Sequence, residues 1–305
     1  MANGVTIATA TFEEVERALT PAPGTLRLRR MLGHRSFVIA GTVLGVMIVL
    51  AIAAPLVAPY DPYAQDLSHR LVPPAFMEGG SWANPLGTDA LGRDYLSRVI
   101  YGARVSLLIG VLTALMSGII GAALGVTAGY FGGRVDSAIC YILAVRLSMP
   151  VVLIALAVVS LVGGSLTAVI MVMGLLLWDR YAVVMRSATQ QVRALDYVAA
   201  AAAVGASTSR IVLTEVMPNV LNNLIVVATF EVAHAILLEA ALSFLGLGVQ
   251  PPLPSWGLMI AEGRQHLLFE PWVIVIPGLA LSVLVLAVNM VGDGIRDIAA
   301  PENRN

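Results

Sequence analysis

Six long apolar segments, separated by polar or glycine- and proline-marked stretches, constrain the fold of this 305-residue chain more than any other feature. A helix of about 20 apolar residues is long enough to cross the ~30 Å hydrocarbon layer of a bilayer. Charged residues make up only 12% of the chain, whereas soluble domains contain roughly 25%. We therefore predict an all-α integral membrane protein with six transmembrane helices, at 37–58, 105–130, 138–161, 166–185, 220–244 and 273–291.

The arginines predict how these spans are oriented. Arginines at 27, 29, 30 and 35 directly precede the first span, and such clusters are held on the cytoplasmic side. Apart from Arg146, which lies within a span, twelve arginines fall on the predicted inner side and five on the outer side. We predict cytoplasmic tails at 1–36 and 299–305 around a membrane domain at 37–298, with external loops at 60–103 and 246–271.

The third and fourth spans contain polar residues and a proline. Pro150 is expected to kink the third span. Arg146, near its inner end, is expected to snorkel or to form an ion pair. The fourth span carries the charged pair 179–180, which we place close to the inner interface because charge at full depth is costly. Trp178 and Tyr181 are then expected to be interfacial aromatics.

Three glycines of the second span repeat at four-residue spacing: Gly121, Gly125 and Gly129. Such spacing lets another helix approach closely. We predict packing within this chain, with a subunit interface as the alternative. The single cysteine, Cys140, excludes an intrachain disulfide and is predicted to be a small core residue.

The polar segment 186–218 interrupts the apolar pattern and has strong helix-forming character. Residues 199–203 are all alanine, the best helix former, and Gly205 readily supplies a turn. Ser207 or Ser209 is predicted to cap a second helix, which should end before Pro218. Because this helix–turn–helix lies between spans on the predicted inner side, we expect it to dock on a water-soluble partner.

The loop before the second span contains another candidate element. Thr88 or Asp89 can cap a helix on which Leu91, Tyr95 and Val99 share one face. The spacing predicts an amphipathic helix at the membrane surface that leads into the span.

Four strings together resemble the ABC-importer permeases, in the branch for dipeptides, oligopeptides and nickel. DYVAAAAAVGAS, followed by Val216-Met217-Pro218, resembles the EAA coupling loop of that family. The strings NPLGTDALGRDYLSRVIYGARVSL, GLGVQPPLPSWGLMIAEGRQHLLFEPW and NMVGDGIRD resemble its signatures around the second, fifth and sixth spans. The resemblance implies the fold of a type I importer permease, with a cytoplasmic coupling-helix hairpin.

The same resemblance implies roles for two groups of residues. The residues that match the coupling loop are Asp196, Tyr197, Ala199, Ala200, Ala201, Gly205, Ala206, Ser207 and Pro218. Those that match the signature of the first external loop are Gly87, Thr88, Asp89, Gly92, Arg93 and Asp94. The chain departs from the family where Ala199 replaces the Glu of EAA, where Ala202 replaces a common Arg and where Val183 replaces a frequent Arg. Polar docking contacts made by relatives therefore cannot be transferred to it.

The function that the resemblance implies is that of a C-type membrane subunit in an ATP-driven importer of di- or oligopeptides, working by alternating access in a bacterial plasma (inner) membrane. Nickel, glutathione or another solute of the same family is the alternative. The implied partners are a second permease subunit in a heterodimer, one or two ABC ATPase subunits, an extracytoplasmic solute-binding protein and membrane lipid. ATP and Mg are then used by the ATPase subunits, and this chain binds no cofactor.

The composition argues against other classes of function. The chain has no lysine, which a phosphate-binding loop requires, and no Ser in a GxSxG elbow. A net charge of −1 makes nucleic acid an unsuitable partner. A secondary transporter should show inverted repeats, which are not evident, and a membrane scaffold or enzyme subunit would not need these motifs.

The fifth span carries Glu231, His234 and Glu239 on one broad face. Glu231-x-x-His234 has the spacing of half a di-metal site, but a second Glu-x-x-His on another helix is missing from the sequence. We therefore predict that the three residues pack helices together or line the pathway, and that they bind no metal.

Overall fold

The computed structural model describes residues 35–299, and within them the regular secondary structure is helical. The predicted tails, 1–36 and 299–305, lie almost entirely outside the described residues. The α-helices are α1 Arg35–Ile52, α2 Ala54–Val57, α3 Tyr95–Phe131, α4 Gly133–Leu147, α5 Val151–Val162, α6 Leu166–Leu176, α7 Asp179–Arg193, α8 Asp196–Ala203, α9 Thr208–Arg210, α10 Met217–Phe244, α11 Trp256–Gly263 and α12 Trp272–Ala299. A π-helical segment, Ile211–Val216, joins α9 to α10, and short 3₁₀ turns lie at Leu67–His69 and Arg264–His266.

Five helical stretches of the described chain are long and apolar enough to cross a membrane. They are Arg35–Ile52, Tyr95–Phe131, Leu166–Arg193, Thr208–Phe244 and Trp272–Asp297. Helices α4 and α5 become a sixth if they are counted together as one broken span. The all-α membrane fold is thus confirmed, and its helices overlap the six predicted apolar runs.

The third span is broken rather than kinked. Helices α4 and α5 meet at an angle of 82°, with Pro150 as the N-cap of α5. Proline lacks the N–H that would continue the α4 ladder, so the bend lies where the sequence predicts it. Arg146, just before the break, donates from Nε to the Leu176 carbonyl oxygen at 3.0 Å and lies 3.8 Å from the Asp179 carboxylate. The expected ion pair of Arg146 is therefore present.

Helix α3 begins later than the sequence predicts. The N-cap is Asp94, whose carboxylate accepts from the Ser97 N–H at 2.8 Å, so neither Thr88 nor Asp89 caps the helix. Leu91 lies outside the helix, because the loop folds back on itself through a β-bridge between Thr88 and Asp94. The predicted surface helix does not exist as a separate element: Tyr95 and Val99 belong to one continuous helix of 37 residues.

Helix α3 lies at the centre of the bundle and packs most extensively against α7. Gly121, Gly125 and Gly129 form this contact, as predicted for packing within the chain. A Cβ atom on Gly125 would lie 2.8 Å from the Met185 Cβ and 2.5 Å from the Ala182 carbonyl oxygen. The two backbones can therefore approach this closely only because the α3 face lacks side chains.

Trp178 and Tyr181 belong to this packed seam and not to a membrane interface, so the prediction of interfacial aromatics was wrong. Both are buried, and the Tyr181 hydroxyl donates to the Ala114 carbonyl oxygen at 3.0 Å. Its polar group thus finds a backbone acceptor inside the bundle, which removes the need for interfacial water.

The boundaries of the polar segment 186–218 also differ from the prediction. Helix α7 continues to Arg193, so the first part of the segment extends the fourth span. The helix after the glycine turn does not stop before Pro218 but continues to Phe244. It passes the proline because Met217 N–H donates to the Val212 carbonyl five residues back, while the Asn219 side-chain amide donates to the Glu215 carbonyl at 2.6 Å.

Candidate functional site

A helical hairpin formed by α8 and the helix that begins at Thr208 carries the coupling-loop residues predicted from the sequence. Between the two helices Gly205 has a φ of 82°, which a residue with a side chain rarely adopts. The Gly205 N–H donates to the Ala202 carbonyl at 3.0 Å and the Ala206 N–H to the Ala201 carbonyl at 3.1 Å. These two bonds form a Schellman motif, which ends α8 and turns the chain back.

The second helix of the hairpin starts at a capping serine and is locked to α8 by side chains. Ser207 is the N-cap and accepts from the Arg210 N–H at 3.4 Å. The Tyr197 hydroxyl accepts from the Asn219 side-chain amide at 3.0 Å. Val198 and Ile211 are buried between the helices in a shared apolar cluster. The hairpin is therefore held as a unit by packing and by hydrogen bonds.

The outer face of the hairpin consists mainly of small or apolar side chains. Asp196, Ala199 and Ala200 are exposed, and Val204 at the turn is 85% exposed. A cavity of 260 Å³ lies beside Gly205, between the end of α8 and the start of the second helix. The remaining predicted residues also lie on the hairpin: Tyr197, Ser207 and Pro218 are exposed, and Ala201 and Ala206 are half-buried.

The signature residues 87–94 build a buried ion network. The Arg93 Nε donates to the Asp89 carboxylate at 2.6 Å, and Arg98 pairs with the same carboxylate oxygen. Glu262 of α11 lies 3.0 Å from Arg98 Nη2 and 3.5 Å from Arg93 Nη2. The side chain of Arg98 is 1% exposed and that of Asp89 is 8% exposed, so these two groups are buried, whereas Glu262 at the edge of the network is 32% exposed.

The other signature residues hold the same loop in place. The Thr88 hydroxyl donates to the His69 carbonyl at 2.5 Å and accepts from the Val72 N–H at 2.9 Å. Asp94 accepts from the Asn84 side-chain amide at 2.8 Å in addition to capping α3. The two glycines, Gly87 and Gly92, are buried and have positive φ.

Two opposing effects act on the pKa of Asp89. Burial raises it, but the guanidinium groups of Arg98 and Arg93 and the N–H groups of Arg93 and Leu91 lower it more. The net pKa lies below the usual range of an aspartate. The Asp89 carboxylate is therefore ionised at neutral pH and serves as the shared ion-pair partner of both arginines, beside the second carboxylate of the network, Glu262.

The residues predicted on the fifth span do not form one site. Glu239 is fully buried and accepts from the hydroxyls of Ser243 at 2.7 Å and Ser255 at 2.9 Å. Ser255 is also the N-cap of α11, where it accepts from the Leu258 N–H at 3.1 Å. Glu239 therefore ties α10 to the start of α11.

Glu231 and His234 belong to a separate polar cluster, with Arg180 of α7. The Glu231 carboxylate is 1% exposed and accepts from Arg180 Nη1 at 3.1 Å. Its other oxygen lies 3.1 Å from His234 Nδ1. Among residues 35–299, no three His, Cys, Asp or Glu side chains are grouped so that they could hold a metal ion. The expectation that His234 binds no metal stays a prediction.

The sequence reasoning missed several members of these clusters. Glu262 and Arg98 complete the ion network, and Ser255 completes the contacts of Glu239. Glu262 belongs to the segment that resembles the family signature after the fifth span. Its local spacing gives no sign that it contacts Arg93 and Arg98, which lie more than 160 residues earlier in the chain. For Arg180, the high free energy of a charge in lipid favoured a position near the membrane interface. Its buried partner Glu231 lies on a different helix, so the sequence does not show the pair.

Comparison with known proteins identifies the family. Residues 121–305 match the family described as binding-protein-dependent transport system inner membrane component, and residues 23–74 match the N-terminal TM domain of oligopeptide transport permease C. The chain is 41% identical to the di/tripeptide transport system permease protein DppC of Pseudomonas aeruginosa, over 89% of this chain and 90% of that protein. It is 35% identical to the glutathione transport system permease protein GsiD of Pectobacterium atrosepticum, over 90% and 89%.

The fold also matches a solved structure. An inward-facing conformation of the MetNI methionine ABC transporter aligns with a TM-score of 0.55 and 19% identity, over 67% of this chain and 97% of that chain. At this identity the match concerns the fold alone. Members of the matched family are non-catalytic membrane subunits that work with a separate ATPase and a solute-binding protein. The chain therefore belongs to the binding-protein-dependent inner membrane components of ABC importers, as a multi-pass permease subunit of the dipeptide and oligopeptide branch.

Proposed function

We propose that this permease forms one half of the pathway through which an ATP-driven importer takes up di- and oligopeptides. The observation that carries the choice of solute is the 41% identity to a di/tripeptide permease over nearly the whole length of both chains. A binding protein delivers the peptide on the outer side, and a second, different permease subunit supplies the other half of the pathway. One or two ATPase subunits bind and hydrolyse ATP with Mg.

The hairpin formed by α8 and the helix from Thr208 is the proposed contact with the ATPase. Its helices are locked to each other, so a push at the turn moves the long helix that continues to Phe244. Ala199 offers no carboxylate, and the exposed Val204 offers apolar surface. The docking is therefore expected to depend on shape and apolar contact more than on an ion pair at position 199.

Glutathione is the second candidate solute, because the chain is also 35% identical to a glutathione permease. Glutathione and dipeptides share amide groups and free carboxylates, so one pathway chemistry suits both. Specificity between them would then reside in the binding protein.

Copurification followed by uptake tests the proposal. The tagged chain, expressed with its neighbouring reading frames, should bring down a second permease and an ATPase. Vesicles that contain this complex should accumulate dialanine only when ATP and the binding protein are both supplied. Uptake of glutathione without dialanine would select the second candidate. A tagged chain that purifies without an ATPase would contradict an importer of this type.

We further propose that both termini lie in the cytoplasm, on the basis of the arginine distribution. Reporter fusions after Pro73 and after Arg264 should give an external signal, and a fusion after Arg193 an internal one. A fusion after Arg134, at the turn between α3 and α4, provides a second internal control. An internal signal at Pro73 would contradict this orientation.

A further inference from the structure

An exposed arginine lies deep in the apolar part of the bundle. Arg180 is about 20 Å along the helical stretch that starts at Leu166, and its partner Glu231 is about 20 Å from the end of the fifth span at Phe244. Counted from these two apolar ends, both charges fall short of the ~30 Å thickness of a hydrocarbon layer, so we place them within it. The Arg180 side chain is nevertheless 58% exposed. Lipid is an unfavourable neighbour for such a group, which points to a water-filled space instead.

The charges of this cluster are arranged so that its positive member is the accessible one. Glu231 is 1% exposed and Asp179 is 12% exposed. Glu231 is already bonded through both oxygens, to Arg180 and to His234, and Asp179 lies beside Arg146. Both carboxylates border the cavities, but the group that presents most of its surface to an entering solute is the Arg180 guanidinium.

Arg180 also has unused hydrogen-bonding capacity. Within residues 35–299 its side chain makes one hydrogen bond, from Nη1 to Glu231. The edge formed by Nε and Nη2 is left for another acceptor, and this edge fits the two oxygens of a carboxylate. The bond from Nη1 to Glu231 limits the conformations that the guanidinium can adopt.

The surroundings of Arg180 are a cavity and not a packed interior. Two adjoining cavities, of 340 and 210 Å³, share Arg180 and Leu147 as lining residues. The smaller one is bordered by Met149 and Val151, at the break between α4 and α5, and by His234. In secondary transporters, broken helices likewise surround the polar solute site.

We propose that Arg180, positioned by Glu231, is a binding site on the translocation pathway for a carboxylate of the transported solute. The proposal rests on the function proposed above, for which the C-terminal carboxylate of a dipeptide is the natural ligand. The site holds the negatively charged end of the peptide as it passes between the helices. Arg146 and His234 also line the smaller cavity, but Arg146 is bonded to the Leu176 carbonyl and lies beside Asp179, and His234 contacts Glu231.

A labelling experiment on the whole complex tests this site. The reporter is Val184→Cys, which places a thiol in the wall of the larger cavity, in a chain that also carries Cys140→Ala. The complex is placed in lipid nanodiscs without binding protein, and labelling by N-ethylmaleimide is followed against dialanine concentration. Dialanine should slow labelling, and dialanine amide, which lacks the carboxylate, should need about tenfold or more higher concentration for the same protection.

The variants assign that difference to one residue. In Arg180→Gln the advantage of dialanine over its amide should disappear, whereas Arg180→Lys, which keeps the charge, should retain part of it. The matched control is Arg134→Gln, which removes an exposed arginine at the start of α4 and should change nothing. It lies about 20 Å along that helix from Leu147, the residue of α4 that lines both cavities.

Two outcomes would overturn the proposal. One is an undiminished advantage of dialanine in Arg180→Gln. The other is a thiol at position 184 that the reagent reaches only after the second permease is removed, which would make this face a subunit interface. Uptake of dialanine by the complex without these changes is measured in parallel. Failure there refutes the peptide function, while the labelling assay still reports whether Arg180 distinguishes a carboxylate from an amide.

Discussion

Asp89→Asn is expected to lower the stability of the folded chain by about 3–5 kcal/mol, because it removes the one carboxylate that pairs closely with both buried arginines, Arg93 and Arg98. Arg98 is 1% exposed and Arg93 is 5% exposed, so water replaces little of the lost interaction with the carboxylate. Glu262 alone would then face two positive charges. In detergent the midpoint of thermal unfolding should fall by roughly 10 °C, and less folded protein should reach the membrane.

Two further variants show whether the buried charge is the cause. Glu78→Gln is the matched control, since it changes an exposed carboxylate of the same loop, and it should leave the unfolding midpoint nearly unchanged. Combining Asp89→Asn with Arg98→Met should cost less than the sum of the two single changes, because each single change leaves the partner charge buried and unpaired. An unfolding midpoint for Asp89→Asn equal to that of the unsubstituted chain would contradict a stabilising role for the network.

The helices that cross the bundle could be predicted because length and apolarity are local properties. The break at Pro150 could be placed for the same reason, since a missing N–H acts at one point in the ladder. Its angle of 82° could not be predicted, because it depends on where α4 and α5 pack, including the bond from Arg146 to the Leu176 carbonyl. The sequence therefore predicts where the third span breaks, but not the direction in which α5 leaves the break.

The start of α3 shows a different limit. Thr88, Asp89 and Asp94 all have side chains that can cap a helix, and helical spacing alone favours the earlier ones. The choice of Asp94 depends on the folded loop, in which Thr88 and Asp89 are occupied by the His69 carbonyl and by arginines. Signature residues could thus be found by resemblance, but their partners, such as Glu262, required the tertiary structure.

The polar residues of the spans show the same limit more strongly. The face shared by Glu231 and Glu239 was predictable from helical spacing, yet the two carboxylates have different neighbours and different surroundings. Arg180 was missed as a pathway candidate, because the rule that charge avoids lipid cannot tell an interface from a cavity. The structure favours a cavity over an interface for Arg180, because its guanidinium is exposed while its partner Glu231 is buried.

Gly205→Val is expected to uncouple the importer without preventing insertion of the chain. Gly205 has a φ of 82° and no atom lies within 4 Å of the position that a Cβ would occupy, so the substitution causes backbone strain without a clash. For a β-branched residue this strain amounts to about 1–2 kcal/mol, which reduces the population of the native turn roughly tenfold. Uptake should fall together with ATPase association or with solute-stimulated ATP hydrolysis.

Gly205→Asn is the matched control for this prediction, since asparagine also adds a Cβ but tolerates positive φ far better than valine. It should keep most of the uptake, and in both variants the affinity of the binding protein for its solute should be unchanged. The contrast separates turn geometry from the mere presence of a side chain, because the space beside Gly205 is open to both residues. Full uptake by Gly205→Val at normal abundance would show that the turn does not transmit movement between the ATPase and the helix that leads to Phe244.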